Sequence, residues 1–253
     1  MSDNTVLKTY WEGPLSKLEN LAIKSIIANG HTLFIYTYDT RSIKSFHKNM
    51  VVLDASDIIP LERREKTDGG LSAKTISQTS RNTFANFFRY CLLYKTGGWW
   101  FDLDIVLLKP VTTEMPVVIP LHFSIDKKNV SVNNAPLKIP RGHILAESLV
   151  KSTSSMDLSN LVRCTIGPTL LEKTVSDMKL DQYHVSSDVY SPIGWGEIHR
   201  IIEPKFGFDR ITKDTVAIHL FNFMWSYGRN IDKNGKHHPD SLYEWLKRKY
   251  EIL

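Results

Sequence analysis

The chain has 253 residues, of which 42% are hydrophobic, 23% charged and 11% aromatic. These are the proportions of a folded globular protein, and they exclude a disordered, collagen-like or low-complexity chain. Thirty-two Lys and Arg against 27 Asp and Glu leave a formal charge of +5, too dispersed to require nucleic acid but suited to an anionic nucleotide or an anionic lipid surface.

The two cysteines, Cys91 and Cys164, are far apart. Cys91 lies in an apolar helical stretch, so a buried free thiol and a reducing compartment are expected. The opening MSDNTVLKTYWEG lacks the basic start and apolar run of a signal peptide. Nothing approaches the roughly 18 apolar residues of a membrane span. The expectation is a cytoplasmic chain, at most peripheral to a membrane.

The first 110 residues alternate strand and helix signals, as an α/β domain does. Thr5 to Trp11 reads as a first strand. Ser16-Lys-Leu-Glu19 has the form of a capping box, opening a helix with apolar Leu18, Leu21, Ala22, Ile26 and Ile27 that Asn29-Gly30 stops. His31 to Tyr38 is a buried strand and Val51 to Leu53 a shorter one. The polar stretch 61–80 is expected to be a loop. Asn82 to Tyr94 is a helix with Phe84, Phe87, Phe88, Cys91 and Leu92 on its apolar side, ended by Gly97-Gly98. Trp99 to Leu108 then reads as one strand, stopped by Lys109-Pro110.

Beyond 110 the pattern loosens into short apolar runs, Val117 to Ile119 and Val216 to Phe223, among loops carrying Pro136, Pro140, Pro168 and Pro192. No linker separates two units. Residues 1–253 are read as one domain, with 111–253 its second half. Ser241 to Tyr250 is expected to be a surface helix whose Lys247-Arg248-Lys249 form a solvated face, with membrane contact the lesser alternative.

The feature that points to chemistry is Asp102-Leu103-Asp104 within hydrophobic sequence. In a strand, residues two apart share a face. Two adjacent carboxylates beside Trp100, Phe101, Ile105 and Val106 are costly unless a cation sits between them. A divalent metal with open positions for phosphate oxygens meets that need. A solvated strand end, or pairing with Arg89 and Lys109, meets it equally well on spacing alone.

Residues 82–110, NTFANFFRYCLLYKTGGWWFDLDIVLLKP, settle the preference. They resemble the signature of the DXD-containing sugar transferases of GT-A fold, and more closely the capsule-type and initiating-mannosyltransferase-like members. There a helix carrying Asp or Asn and then Arg-Tyr leads through Gly-Gly into the Asp-x-Asp segment. Here the counterparts are Asn86, Arg89-Tyr90, Gly97-Gly98 and Asp102-Leu103-Asp104. Weaker likenesses are Tyr10-Trp11, Asn29-Gly30-His31, Asn133-Asn134-Ala135-Pro136, Thr165-Ile-Gly167-Pro168 and Ala217-Ile-His219-Leu220. The chain departs from many relatives at Asn86, where they carry Asp.

The resemblance implies a GT-A type fold with a central mixed, mostly parallel sheet, and residues 1–110 as the nucleotide-sugar-binding half. It implies Mn²⁺ or Mg²⁺ on Asp102 and Asp104 with His219 as a further ligand, His219 being equally readable as a structural histidine. Arg89 and Asn86 would hold the donor sugar, and Asp102 the ribose or the metal. Trp11 would stack on the base, with core packing the alternative. The donor would be a UDP-sugar, the acceptor a glycan on lipid or protein, and the transfer retaining. Trp195 reads as a loop anchor before an acceptor platform, and His237-His238 as exposed loop.

Two other readings compete with this one. A haloacid-dehalogenase-like phosphatase would use Asp102 as nucleophile, but it needs a downstream acidic pair, and no Asp-Asp dipeptide occurs in the chain. A non-catalytic sugar-nucleotide-binding module would not need the intact Asp pair.

Overall fold

The computed structural model describes residues 5–67, 78–123, 130–156, 165–226 and 230–253. Cys164, Tyr227 and the centre of the loop expected at 61–80 lie outside the described residues.

The first strand, β1 (Val6–Tyr10), leads to α1 (Lys17–Ala28) and then to β2 (Thr32–Thr37) and β3 (Met50–Asp54). Helices α2 (Leu61–Thr67) and α3 (Gln78–Thr96) follow, and β4 (Gly98–Trp100) returns beside β1. Neighbours in the main sheet run β3-β2-β1-β4-β8, where β8 is Leu137–Ile139. The first four strands are parallel and β8 is antiparallel to β4. The sheet is therefore mixed and mostly parallel, as expected. Its crossovers are helical because parallel neighbours cannot be joined by tight turns.

Local sequence explains these elements. The Ser16 N–H donates to Glu19 Oε2 at 2.6 Å, and Leu18 N–H donates to Ser16 Oγ at 3.2 Å. The capping box read from sequence forms, and such a cap contributes about 1 kcal/mol. Phe84, Phe87 and Phe88 on α3 are buried, Phe84 and Phe88 against Tyr10, Phe88 also near Trp100 and Phe87 against Phe84, with Phe88 stacked on Tyr10 at 4.5 Å. Gly97 ends the helix at φ +62°, and a Cβ there would lie 2.4 Å from the Arg141 backbone nitrogen.

Three expectations are corrected. Leu61–Thr67 is helical rather than loop. The strand expected from Trp99 to Leu108 is two strands, β4 and β5 (Ile105–Leu107), in different sheets. The break comes at 101–104, where Ile105 N–H donates to Asp102 O at 3.2 Å. The turn comes where the chain leaves β1, whose Lys8 carbonyl takes its last bond from Phe101 N–H.

The remaining strands are β6 (Ile119–Phe123), β7 (Val130–Val132), β9 (His184–Val185) and β10 (Ala217–His219). β6 pairs with β7 and β9, and β10 pairs antiparallel with β5. Helices α4 (Ile144–Ser154), α5 (Leu170–Asp177), α6 (Ser187–Tyr190), α7 (Phe223–Ser226) and α8 (Leu242–Lys249) complete the chain. The third correction concerns α8. Lys247 is buried, pairs with Glu244 at 2.6 Å and donates to Gly235 O at 2.9 Å, so only Arg248 and Lys249 form its charged face.

Two apolar clusters result. The larger lies around the main sheet and α3, the smaller around α8, Trp225 and Ile198. α1 serves both, with Ile23 and Ile26 in the first and Leu18 and Leu21 in the second. Alternation along β5 does the same, since Ile105 and Leu107 face the first cluster and Val106 the second. Among the described residues, no helix is long and apolar enough to cross a membrane.

Candidate metal and donor site

The turn that splits the expected strand carries Asp102 and Asp104. The β5–β10 ladder sets His219 opposite Ile105, one residue past Asp104, and Leu220 N–H donates to Asp104 O at 2.7 Å. One ligand atom from each of Asp102, Asp104 and His219 lies within 4.8 Å of the others. Backbone pairing thus brings together residues more than 100 positions apart.

The two carboxylates are held differently. Asp102 Oδ1 accepts from Arg89 Nη2 at 2.8 Å and from Trp100 Nε1 at 2.6 Å, which leaves its other oxygen for a ligand. The Arg89 guanidinium is buried, lies 4.8 Å from the Trp100 ring centroid and donates through Nη1 to Asn86 Oδ1 at 3.1 Å. Asn134 Nδ2 donates to the same Asn86 oxygen at 2.8 Å. An Asp at this position could accept the same two bonds, so Asn86 keeps the arrangement with one charge fewer. Lys109 takes no part, since its Nζ donates to the Lys213 carbonyl.

Asp104 Oδ2 accepts the Asn222 N–H at 2.7 Å. Among the described residues its Oδ1 is buried without a hydrogen bond, 3.2 Å from His219 Nε2. Burial alone would raise this carboxyl, but the His219 imidazole and the Asn222 N–H outweigh it and hold it below the usual carboxylate range. A buried carboxylate oxygen with no donor is costly, and a hard cation removes the cost. Two carboxylates suit a hard divalent cation such as Mn²⁺ or Mg²⁺, and the added imidazole favours Mn²⁺ of the two.

His219 is covered on one face by an aromatic ring. Phe221 stacks on it at 3.9 Å and 10°, and His122 lies 6.0 Å beyond, with Nε2 2.7 Å from Ser131 Oγ. Burial, with the nearby His219, pushes His122 down to about 4, so it is neutral near pH 7. On the far side, His219 Nδ1 lies 3.1 Å from Asn133 Nδ2. Phe221 has φ +45°, an unusual backbone state for an aromatic residue, and it immediately precedes the Asn222 N–H that Asp104 accepts.

Other sequence candidates stand apart from this cluster. Trp11 is half-buried past the end of β1, packs against the larger core and donates through Nε1 to Gly13 O at 3.1 Å. Trp195 is half-buried in its loop. His237 lies 2.8 Å from Asp232 O through Nε2 and against Trp225 and Tyr243, a packed residue where an exposed one was expected. Cys91 is a free thiol, pushed up to about 12 by burial.

Sequence reasoning missed the roles of Asn133, the Trp100 indole N–H and the Asn222 backbone. Asn133 stood only as part of a motif, Trp100 counted as apolar, and a backbone donor leaves no mark on sequence.

Residues 30–122 match the family model of the glycosyltransferase sugar-binding region containing DXD motif. No curated protein matches the chain in sequence. Among solved structures, the chain is similar to the PaToxG glycosyltransferase, with a TM-score of 0.50, 11% identity and 70% of each chain covered. That likeness shows the fold, which is GT-A-like. Residues 30–122 are thus similar to a DXD-containing glycosyltransferase sugar-binding region, and the fold is GT-A-like. The matched span ends before Asn133 and His219, which reach the carboxylates through the fold.

Proposed function

We propose that the chain is a metal-dependent hexosyltransferase, moving a sugar from a UDP-sugar to a glycan hydroxyl with retention of configuration. Residues 1–253 act as one catalytic domain, 1–110 holding the donor and 111–253 the acceptor. The observation that carries this reading is the convergence of Asp102, Asp104 and His219 within 4.8 Å, with Asp104 Oδ1 buried and without a hydrogen bond.

Mn²⁺ or Mg²⁺ held by Asp104, His219 and the remaining Asp102 oxygen would neutralise the diphosphate charge that grows as the donor bond breaks. The side chains do the rest. Arg89 fixes the Asp102 rotamer and lies beside the donor sugar, and Asn86 orients Arg89 and offers its amide N–H to a sugar hydroxyl. Trp11, past the end of a parallel strand, would stack on the base, a reading supported by the rule that open α/β sheets receive nucleotides at strand ends. In the retaining step, the acceptor oxygen bonds to the anomeric carbon on the face from which the diphosphate departs. The acceptor proton passes to the leaving phosphate oxygen. The uridine donor, the retention and the lipid- or protein-linked glycan acceptor follow from the family resemblance.

A phosphatase attacking through Asp102 is disfavoured, because no Asp-Asp dipeptide supplies the downstream acidic pair it needs. The test incubates the chain with a set of nucleotide sugars and follows nucleotide release. Release from a UDP-sugar is expected, stopped by EDTA and reduced at least ~100-fold by Asp104→Asn. Proton NMR of the released sugar reads the anomer. Release that is indifferent to EDTA and to Asp104→Asn, or Mg²⁺-dependent phosphate release from simple esters, contradicts the reading.

A further inference from the structure

We infer that Asn133 is the positioning residue that sets the tautomer of His219, and that its amide turns over when a divalent cation binds. The inference rests on the metal-site reading above and extends it to a residue that cannot touch the metal through its own bonds to His219.

Each nitrogen of the His219 ring faces one partner. Nε2 lies 3.2 Å from Asp104 Oδ1, and Nδ1 lies 3.1 Å from Asn133 Nδ2. Phe221, stacked at 3.9 Å, keeps the ring in this plane. Asn133 is itself buried. Its Oδ1 accepts Ala135 N–H at 3.3 Å, and its Nδ2 reaches the fully buried Ser191 Oγ at 3.3 Å.

An amide nitrogen only donates. With Nδ2 against Nδ1, the neutral ring carries its proton on Nε2, toward Asp104. That tautomer suits the metal-free site through charge alone, because Nε2–H lies beside the Asp104 carboxylate without forming a hydrogen bond to its Oδ1. It does not serve a ligated site, because coordination uses the Nε2 lone pair and a second partner must then accept Nδ1–H.

Rotation of the Asn133 amide by half a turn supplies that acceptor, putting Oδ1 where Nδ2 was. One proton leaves Nε2 to solvent and one is taken up at Nδ1, so the ring stays neutral. Ser191 accommodates both orientations, since a hydroxyl both donates and accepts. The bond given up is the contact from Ala135 N–H, which at 3.3 Å is beyond the usual range for N–H···O. Neither a carboxylate nor an apolar side chain can serve both states.

The test compares wild type, Asn133→Leu and Asn133→Asp at one pH near neutral. Mn²⁺ binding is followed by the electron paramagnetic resonance of the free ion. Asn133→Leu, which strands the buried Ser191 Oγ and Ala135 N–H, is expected to melt lower than wild type in EDTA and to weaken Mn²⁺ binding about 10-fold or more. Asn133→Asp, which only accepts and so fixes Nδ1–H, is expected to bind at least as tightly as wild type. Imidazole ¹⁵N shifts in the wild type give a readout independent of any variant. The His219 proton is expected on Nε2 in the metal-free chain and on Nδ1 after Mg²⁺ is added.

Wild-type affinity in Asn133→Leu, or a metal-free His219 already protonated on Nδ1, overturns the role of Asn133 alone. A wild-type chain that takes up no Mn²⁺ overturns the metal reading, and the amide rotation with it.

Discussion

Asp104 has one oxygen bound to a backbone N–H at 2.7 Å and another buried with only an imidazole nitrogen 3.2 Å away. Asp102 is more fully committed, to Arg89 and Trp100. This difference is not visible in the symmetrical Asp-Leu-Asp of the sequence, which shows that two carboxylates meet but not which oxygens remain open. His122 makes the same point. Nothing in the sequence singled it out, yet the fold buries it beside Phe221 and holds it neutral with a pKa lowered to about 4. Because the folded value lies below the unfolded one of about 6.5, the unfolded state binds the extra proton between them. The resulting stability is present above pH 6.5 and lost as pH falls toward 4. The loss should be on the order of 3 kcal/mol. His122→Gln, which cannot titrate, should flatten that part of the melting-temperature profile between about pH 6.5 and 4. An unchanged slope in the variant would assign the acid sensitivity to other groups.

Elements built from local rules were legible. The capping box of α1 forms, the aromatic face of α3 is buried and Gly97-Gly98 ends that helix. The run from Trp99 to Leu108 was misread because hydrophobicity alone cannot show where a buried strand changes sheet. The carboxylates lie at that change, in the turn between β4 and β5, where side chains are free of ladder pairing. Gly97 is what allows α3 to pass so closely into β4. Gly97→Ala would combine a left-handed backbone with a 2.4 Å approach to the Arg141 nitrogen. It should cost at least about 2 kcal/mol and lower the melting temperature by about 5 °C or more. Gly13 also has positive φ, at +96°, but nothing lies within 4 Å of its would-be Cβ. Gly13→Ala should therefore cost only about 1 kcal/mol. Equal effects from the two substitutions would remove the steric half of this argument.

At the scale of the whole molecule, the site depends on contacts that sequence order hides. His219 reaches Asp104 only because β10 pairs with β5, and Asn133 reaches His219 across 86 positions. The fully buried Glu19 of the α1 capping box binds Lys233 at 2.7 Å and Asn222 Nδ2 at 3.0 Å, tying the first helix to the segment that supplies Asp104 its N–H. The main sheet was readable because each of its parallel strands is a local apolar run. The joining of the later strands was not, because three-residue strands carry too little pattern to fix partners.

Metal-dependent binding of a nucleotide diphosphate is the central claim, and thermal melting of wild type and Asp104→Ala with UDP, GDP, ADP or CMP, each with and without Mn²⁺, tests it most directly. Ligand that binds the native state raises the melting temperature by mass action. Stabilisation by UDP is expected only with Mn²⁺ present, and none is expected in Asp104→Ala. Stabilisation without Mn²⁺, or surviving intact in Asp104→Ala, would contradict that claim.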